Sequence, residues 1–314
     1  MKIIGTGSAL PKKVLTNDML SGIVETSDEW IRTRTGIRER RVLSDETLTD
    51  LALEAAQKSI ESAGVNASDI DYIMCHNVCN DAMTPSLAAM INKELGANCP
   101  TVDLNAACTG FIYALDMADS LMKTGKARNI LIVCAEQPSH FVDWTQRETC
   151  VLFGDAVGAV VVTQSDDDCF FKMSTQYTDA LYCSDTWHDT PFQKCKKENN
   201  FLYMRGRDVF RMAVTNCCKD IKYVFEKSGI SSSEVSYFLL HQANLRILEA
   251  VRHEMNVAED KFPMNLDRYG NTSSASIPLL MDELNKAGKL HRGDLLVLSA
   301  FGAGFTSGAG VIKW

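Results

Sequence analysis

The residues with the most chemical potential in this chain lie in short loops between predicted strands and helices. In Asp103-Leu-Asn-Ala-Ala-Cys108-Thr-Gly-Phe111 a cysteine sits where a strand gives way to a helix. Free N–H groups and the positive dipole end at a helix N-terminus stabilise a thiolate, so this setting is expected to lower the Cys108 pKa. A thiolate there suits covalent acyl chemistry, and the small neighbours Ala106, Ala107 and Gly110 leave room for a substrate. The competing reading is a buried structural thiol, the usual fate of a free cysteine. Of the 11 cysteines, Cys75, Cys134, Cys217 and Cys218 fall inside predicted strands or helices, and Cys169, Cys183 and Cys195 in an aperiodic segment.

A second loop, Leu240-His241-Gln-Ala-Asn244-Leu-Arg246, offers an imidazole as a base or as a hydrogen-bond donor to developing negative charge. A satisfied core histidine is the alternative there. A third, Tyr269-Gly-Asn271-Thr-Ser273, offers a carboxamide donor, although Asn is also a common helix cap. The fourth is the turn Phe301-Gly-Ala-Gly-Phe-Thr-Ser-Gly308. Its backbone N–H groups can join that of Cys108 around a thioester oxygen, or the glycines can simply make a tight turn.

The elements that must position these loops are read from an internal repeat. Gly64-Val-Asn-Ala-Ser-Asp-Ile-Asp-Tyr-Ile-Met-Cys-His76 lines up without a gap on Gly229-Ile-Ser-Ser-Ser-Glu-Val-Ser-Tyr-Phe-Leu-Leu-His241. Ile130–Ala135 matches Leu295–Ala300 at the same 165-residue spacing. Each copy reads as a helix ending in glycine (47–63, 208–228), a strand (70–75, 235–240), a helix (85–95, 244–255), a strand (101–104, 261–266), a helix (109–123, 274–286) and an apolar strand (130–133, 295–298). Alternating strands and helices imply mostly parallel sheets covered on both faces. The fold class is therefore α/β, a duplicated α-β-α-β-α sandwich of five layers with pseudo-twofold symmetry, divided as 1–165 and 166–314.

At the 165-residue spacing Cys108 corresponds to Ser273, so the thiol and the Asn271 loop are expected to face each other across the pseudo-axis, with His241 at an adjacent strand end. The mate of His241 is His76, which shows that a histidine at this turn need not be catalytic. Gly158–Val162 resembles Gly308–Ile312 at a shorter spacing of 150, placing about 15 extra residues near 137–153 of the first half. The segment 164–203 has no clear period and reads as a lid, binding loop or surface loop.

Composition removes whole classes of function. Hydrophobic residues make up 46%, charged residues 23%, and the net charge is −8, values of an ordinary globular protein and adverse to a dedicated nucleic-acid binder. No apolar run approaches the roughly 18 residues of a membrane span, and the first residues lack a signal-peptide layout. A cytoplasmic protein with reduced thiols is expected. Cys75-His-Asn-Val-Cys79 lacks a second ligand pair, so no metal is expected, and no glycine fingerprint for NAD or ATP follows a strand.

At these residues the chain resembles the β-ketoacyl-acyl carrier protein synthase III family of the thiolase superfamily, nearly end to end. The resemblance is carried by Ile4-Gly-Thr-Gly-Ser8, Thr26-Ser-Asp-Glu-Trp-Ile31, Arg34-Thr-Gly-Ile-Arg38, Ala107-Cys108, Phe153-Gly-Asp155, His241-Gln-Ala-Asn-Leu-Arg246, Gly270-Asn-Thr-Ser273 and Phe301-Gly-Ala-Gly304. It implies a thiolase-like fold, a homodimer, and the decarboxylating condensation that starts fatty-acid chains, with acyl-CoA as substrate, malonyl-acyl carrier protein as partner and no cofactor. Cys108 would carry the acyl thioester, His241 and Asn271 would stabilise the malonyl-derived enolate, and the N–H groups of Cys108 and Ala303 would hold the oxyanion. Trp30 and Arg147 resemble the pair that sandwiches the CoA adenine. Arg34 matches a nucleotide contact and Asn244 a pantetheine contact, while Arg211 and Arg246 match positions facing the carrier protein. Phe301 lies in the substrate-facing set.

The last cysteine, Cys218, is far from the C-terminus, where a thiolase keeps a second one. Asn271 stands where the elongating synthases have a second histidine. Two departures bear on the primer. Thr84 stands where relatives often place a bulky residue at the acyl-pocket dimer contact, and 164–203 matches the housekeeping pattern poorly. Met83 and Met212 add adaptable surface. The alternative function is therefore a secondary-metabolite ketosynthase or acyltransferase with a non-acetyl primer. A non-catalytic acyl-CoA or carrier-protein binder has no need of Cys108, His241 and Asn271 together.

Overall fold

The computed structural model describes residues 1–184, 190–192 and 201–314. In chain order the first half has β1 (Lys2–Ala9), a two-stranded ribbon of β2 (Lys13–Thr16) and β3 (Glu39–Val42) with α1 (Asn17–Ser21) and α2 (Asp28–Thr35) between them, then α3 (Leu48–Ala63), β4 (Tyr72–His76), α4 (Leu87–Leu95), β5 (Thr101–Leu104), α5 (Gly110–Lys123), β6 (Asn129–Glu136), α6 (Arg147–Cys150) and β7 (Ala156–Thr163). The rest has β8 (Phe170–Thr178), the short pair β9 (Leu181–Tyr182) and β10 (Tyr203–Met204), α7 (Gly206–Ser228), β11 (Tyr237–Leu240), α8 (Leu245–Glu254), α9 (Leu266–Tyr269), α10 (Ser276–Lys286), β12 (Leu295–Gly302) and β13 (Gly304–Lys313).

Two sheets share one strand order. The first runs β1-β7-β6-β4-β5 and the second β8-β13-β12-β11. In both, the repeat's parallel pair sits beside an antiparallel hairpin, β4 on β6 with β6 on β7, and β11 on β12 with β12 on β13. Alternate side chains of the central strands explain the layering. Ile130, Ile132 and Cys134 of β6, with Leu296, Leu298 and Ala300 of β12, pack into one core with Phe111, Ile112 and Leu115 of α5 and Leu279 and Leu280 of α10. Leu131, Val133 and Ala135 point the other way onto Leu51, Ala52, Ala55 and Ala56 of α3. On the far side of the second sheet Val297 and Val311 meet Ala213, Cys217 and Ile221 of α7. The sequence α3, sheet, α5 with α10, sheet, α7 is the thiolase-like sandwich. Local chemistry marks its units. Thr47 and Asp50 form a capping box at the start of α3, and Gly64 and Gly229 end α3 and α7 with φ of 66° and 71°.

Three expectations need correction. The two sheets are mixed, not mostly parallel: three strand pairings are parallel and four antiparallel, because β7 and β13 each run against both of their neighbours. The predicted strand over 261–266 does not join the second sheet, which ends at β11. Pro263 has no N–H for a ladder, and the Asn265 N–H donates instead to the Gln242 side chain at 3.1 Å. The aperiodic segment, in turn, contains a nine-residue strand: β8 pairs with β13 at the sheet edge, as β1 pairs with β7. Its half-exposed position removes the alternation by which a strand is recognised. Cys195 lies outside the described residues, and Cys75, Cys79, Cys99, Cys108, Cys134, Cys150, Cys169, Cys217 and Cys218 are free thiols.

The extra residues of the first half fill the connection from β6 to β7, residues 137–155, where the second half turns through Ala303 alone. This excursion is tied down by Arg40, a fully buried arginine. Its Nη1 donates to Leu15 O at 3.2 Å and Asn17 Oδ1 at 2.8 Å, and its Nη2 to Val151 O at 2.6 Å. Burial lowers its pKa to about 10, still far above neutral pH. Arg40→Met leaves three buried acceptors unpaired. The expected result is a loss of about 3 kcal/mol in urea unfolding, seen as a lower midpoint at unchanged slope.

Candidate active site

A strand leading into a helix builds the Cys108 and His241 loops, the Asn271 loop joins α9 to α10, and the two central helices bring the Cys108 and Asn271 loops together. Cys108 occupies a short 3₁₀ turn, Ala107–Thr109, ahead of α5; Ser273–Ala275 forms the matching turn ahead of α10. Both turns open on a left-handed residue, Ala107 at φ 49° and Ser273 at φ 53°. The register of the turns is therefore one residue longer than that of the strands, and the mate of Cys108 is Ser274, not Ser273 as the 165-residue spacing predicts. Ser273 nevertheless touches the thiol, its Oγ donating to Cys108 Sγ at 3.4 Å. Gly302 lies against the Cys108 backbone, where a Cβ would stand 2.6 Å from the Cys108 nitrogen.

His241 follows β11 and is 2% exposed. Its Nδ1 lies 2.8 Å from Ser276 Oγ, which also accepts the Gln242 N–H at 3.3 Å. The tautomer in which the Ser276 hydroxyl donates to Nδ1 carries its proton on Nε2 as the imidazole's second donor site. The ring meets Phe301 edge-on at 5.3 Å between centroids. Burial among such groups lowers the His241 pKa to about 3, with the Ser273 backbone opposing the shift weakly. The imidazole is therefore neutral at every physiological pH.

Asn271 is held from the excursion. Its N–H donates to Leu152 O at 2.8 Å, and its carbonyl accepts the Gly154 N–H at 3.1 Å. Oδ1 accepts the Ser273 N–H at 2.9 Å, so the Nδ2 end is the one left to donate outward. One end of the carboxamide thus caps a turn, and the other has no bond of its own to the loop.

Cys108, His241, Asn271, Phe301, Arg34, Asn244 and Arg246 line one cavity of about 770 Å³. Sequence reasoning missed part of its wall: Leu181, Met204, Val209 and Phe210, and the basic Arg207. Their signal was hidden because they come from the β9–β10 pair and the first turn of α7, in or next to the aperiodic segment. Asn244 caps α8, its Oδ1 accepting the Arg246 N–H at 2.9 Å, while its Nδ2 reaches Arg34 O at 3.4 Å. Beside the mouth, two guanidinium groups, Arg34 and Arg147, each stand over the Trp30 ring 4.8 Å from its centroid. Arg211 stands outside on α7, paired with Asp208 at 3.5 Å, and Thr84 is exposed before Pro85. Ala303 forms the β12–β13 turn, its carbonyl accepting the Thr306 N–H at 3.3 Å.

The expected low thiol pKa is not what the site produces. Burial pushes Cys108 up to about 12, outweighing the Ser273 hydrogen bond that favours the thiolate, and the charge of Glu136 adds to the rise. At rest the site holds a neutral thiol and a neutral imidazole in one cavity. Such a site can hold an acyl group as a buried thioester and stabilise an enolate oxygen through uncharged donors.

That capacity, on a duplicated α/β sandwich, is the province of the thiolase-like condensing acyltransferases. Two family profiles match the chain: 3-oxoacyl-[acyl-carrier-protein] synthase III over residues 102–180 and its C-terminal counterpart over 225–314. The β-ketoacyl-[acyl-carrier-protein] synthase III of Clostridium acetobutylicum is 43% identical over 100% of this chain and 98% of its own length. The crystal structure of 3-oxoacyl-[acyl-carrier-protein] synthase III from Aquifex aeolicus VF5 superposes with a TM-score of 0.93 at 42% identity, covering 100% of this chain and 99% of that one. The priming β-ketosynthase of the R1128 polyketide biosynthetic pathway superposes with a TM-score of 0.94 at 32% identity, covering 99% and 95%. The chain belongs to the 3-oxoacyl-[acyl-carrier-protein] synthase III family and is a condensing acyltransferase by that membership.

The neutral imidazole has a measurable consequence. An unfolded histidine takes up a proton below its ordinary value near 6.5, whereas folded His241 does so only near 3. Stability associated with this residue is full above pH 6.5 and is lost as the pH falls from there towards 3. The wild type is expected to lose about 2 kcal/mol more than His241→Gln between pH 7 and pH 5 in urea unfolding.

Proposed function

We propose that this protein joins an acyl-CoA primer to malonyl-acyl carrier protein, releasing carbon dioxide and giving a 3-oxoacyl-acyl carrier protein, the step that initiates fatty-acid chains. The observation that carries this reading is the shared cavity of Cys108, His241 and Asn271, with basic side chains at its rim. In the first half-reaction the Cys108 sulfur attacks the CoA thioester carbonyl. CoA leaves as its thiol, taking up the proton that Cys108 gives up. The oxyanion formed on the way lies against the N–H groups of Cys108 and Ala303.

In the second half-reaction the malonyl thioester loses carbon dioxide. The electron pair of the broken bond becomes an enolate, whose oxygen accepts hydrogen bonds from His241 Nε2–H and Asn271 Nδ2. Neutral donors suit this role, because a charged imidazolium would protonate the enolate before it attacked. The carbanion then displaces Cys108 sulfur from the acyl group, and the thiolate regains a proton.

Substrate placement follows the same surface. Trp30 and Arg147 open to admit the adenine between them, with Arg34 beside the nucleotide and Asn244 beside the pantetheine arm. Arg207, Arg211 and Arg246 make a basic face on a chain of net charge −8, suited to an acidic carrier protein. The first half, 1–165, supplies the nucleophile and the second, 166–314, the imidazole and carboxamide, in a homodimer that places Thr84 at the partner's acyl pocket. A primer longer than acetyl is a second reading, favoured by the apolar wall of Leu152, Leu181, Met204, Val209 and Phe210.

Intact-protein mass spectrometry with a panel of acyl-CoAs tests the reading. Wild type gains one acyl mass, Cys108→Ala gains none, and the most efficient donor names the primer. If no acyl-CoA labels the wild type, the CoA-primed reading fails. His241→Ala and Asn271→Ala are expected to acylate normally but to release carbon dioxide from malonyl-acyl carrier protein about 100-fold more slowly. Trp30→Ala is expected to raise KM for acyl-CoA about tenfold at unchanged kcat, the signature of lost ground-state stacking.

A further inference from the structure

Behind Cys108 lies a second polar cluster, of which the charge of Glu136 already bears on the thiol. His76 and Glu136 are fully buried, with His76 Nδ1 3.0 Å from Glu136 Oε1. Ser274 Oγ donates to the same Glu136 oxygen at 2.5 Å and lies 2.8 Å from His76 Nδ1. His76 Nε2 accepts the Ala106 N–H at 2.8 Å, two residues before Cys108. Gly110, at the start of α5, is pressed on the same ring, where a Cβ would stand 1.9 Å from an imidazole carbon.

The duplication shows what this cluster is. His76 and His241 are mates at the 165-residue spacing, Ser274 is the mate of Cys108 by the register of the turns, and Glu136 stands where the second half has Phe301. The cluster is thus the pseudo-twofold image of the reactive centre, with the thiol replaced by a hydroxyl and the phenyl ring by a carboxylate. Beside Phe301 the imidazole has only uncharged neighbours and keeps an outward donor. Beside Glu136 it is locked by a charge.

We infer that His76, Glu136 and Ser274 form a positioning unit that fixes the Cys108 turn for acyl transfer; this rests on the reading of Cys108 as the acyl acceptor. The tautomer is determined by the geometry. Nε2 must accept from Ala106 N–H, so Nδ1 carries the proton and donates to Glu136 Oε1, which also accepts from Ser274. Removing the carboxylate takes away the acceptor of the Ser274 hydroxyl, which then turns to donate to Nδ1; the ring proton moves to Nε2, where it opposes the Ala106 N–H and pushes the turn away. No protein group among the described residues hydrogen-bonds Glu136 Oε2. A glutamine with its carbonyl at the Oε1 position therefore keeps both accepted bonds and breaks none.

Rapid-quench mass spectrometry of acyl-Cys108 formation from acetyl-CoA, paired with amide hydrogen exchange over residues 104–110, tests this unit. Glu136→Leu is expected to slow acylation at saturating acetyl-CoA about 10- to 100-fold with the half-saturating concentration unchanged. Exchange at the Ala106 amide should quicken about tenfold or more in the same variant. Glu136→Gln should stay within about threefold of wild type on both readouts. Should the leucine variant not fold, His76→Phe, which keeps the ring volume without the acceptor, is expected to show the same pair of effects. Normal acylation in Glu136→Leu or His76→Phe overturns the inference. So does slowed acylation with unchanged exchange at Ala106, or a glutamine variant as slow as the leucine one. A wild type that takes no acyl group from CoA marks instead the failure of the proposed function, and the exchange measurement still decides whether the unit holds the turn.

Discussion

Two helix starts meet in the middle of this molecule, and much of the structure follows from that encounter. The turns ahead of α5 and α10 lie between the two sheets, where the unpaired N–H groups of a helix start cannot rely on solvent. The protein satisfies them with its own side chains. His76 takes the Ala106 N–H and Asn271 the Ser273 N–H, while Ser276, the first residue of α10, takes the Gln242 N–H of the loop after β11. Each of these bonds also orients a side chain at or behind the cavity. The requirement to bury polar backbone and the requirement to aim reactive groups are therefore met by the same residues.

Electrostatics separate the two images of the duplicated centre. One has a histidine against a carboxylate, with every hydrogen bond directed inward. The other has a histidine against a phenyl ring, neutral and with one donor to spare. On the proposed reading, a carboxylate beside His241 would compete for the proton of the thiol and repel the enolate. Keeping the charge in the silent image leaves the reactive one with uncharged donors, whose strength rises in a dry cavity. The cost is a thiol that stays protonated at rest, so the proposed acyl transfer must remove its proton as the substrate reacts.

The excursion from β6 to β7 gives the symmetry its direction. It exists in one half only, is anchored through Arg40, and clamps the Asn271 backbone from Leu152 and Gly154. Without it the second half would have a carboxamide loop free to shift against the cavity. The Trp30 ring and its two guanidinium neighbours gather near the same region, so the longer half also supplies the surface at the cavity mouth.

By itself the sequence determined the duplication, the order of helices and strands, and the identities of the three groups around the cavity. Those features are local: apolar periodicity, glycine at helix ends, and chemically distinctive residues at strand-to-helix turns. Only the tertiary structure decided the rest. The predicted strand over 261–266 stays out of the sheet because Pro263 and the bond from Asn265 to Gln242 remove its ladder partners, and β8 exists because β13 offers it an edge. The one-residue shift that makes Ser274 the mate of Cys108 follows from left-handed turns that spacing cannot reveal. The thiol pKa rises where a helix N-terminus alone would lower it, because desolvation depends on everything packed around the sulfur. Periodicity and turn chemistry act over a few neighbouring residues, whereas burial and register are sums over chain segments more than a hundred residues apart.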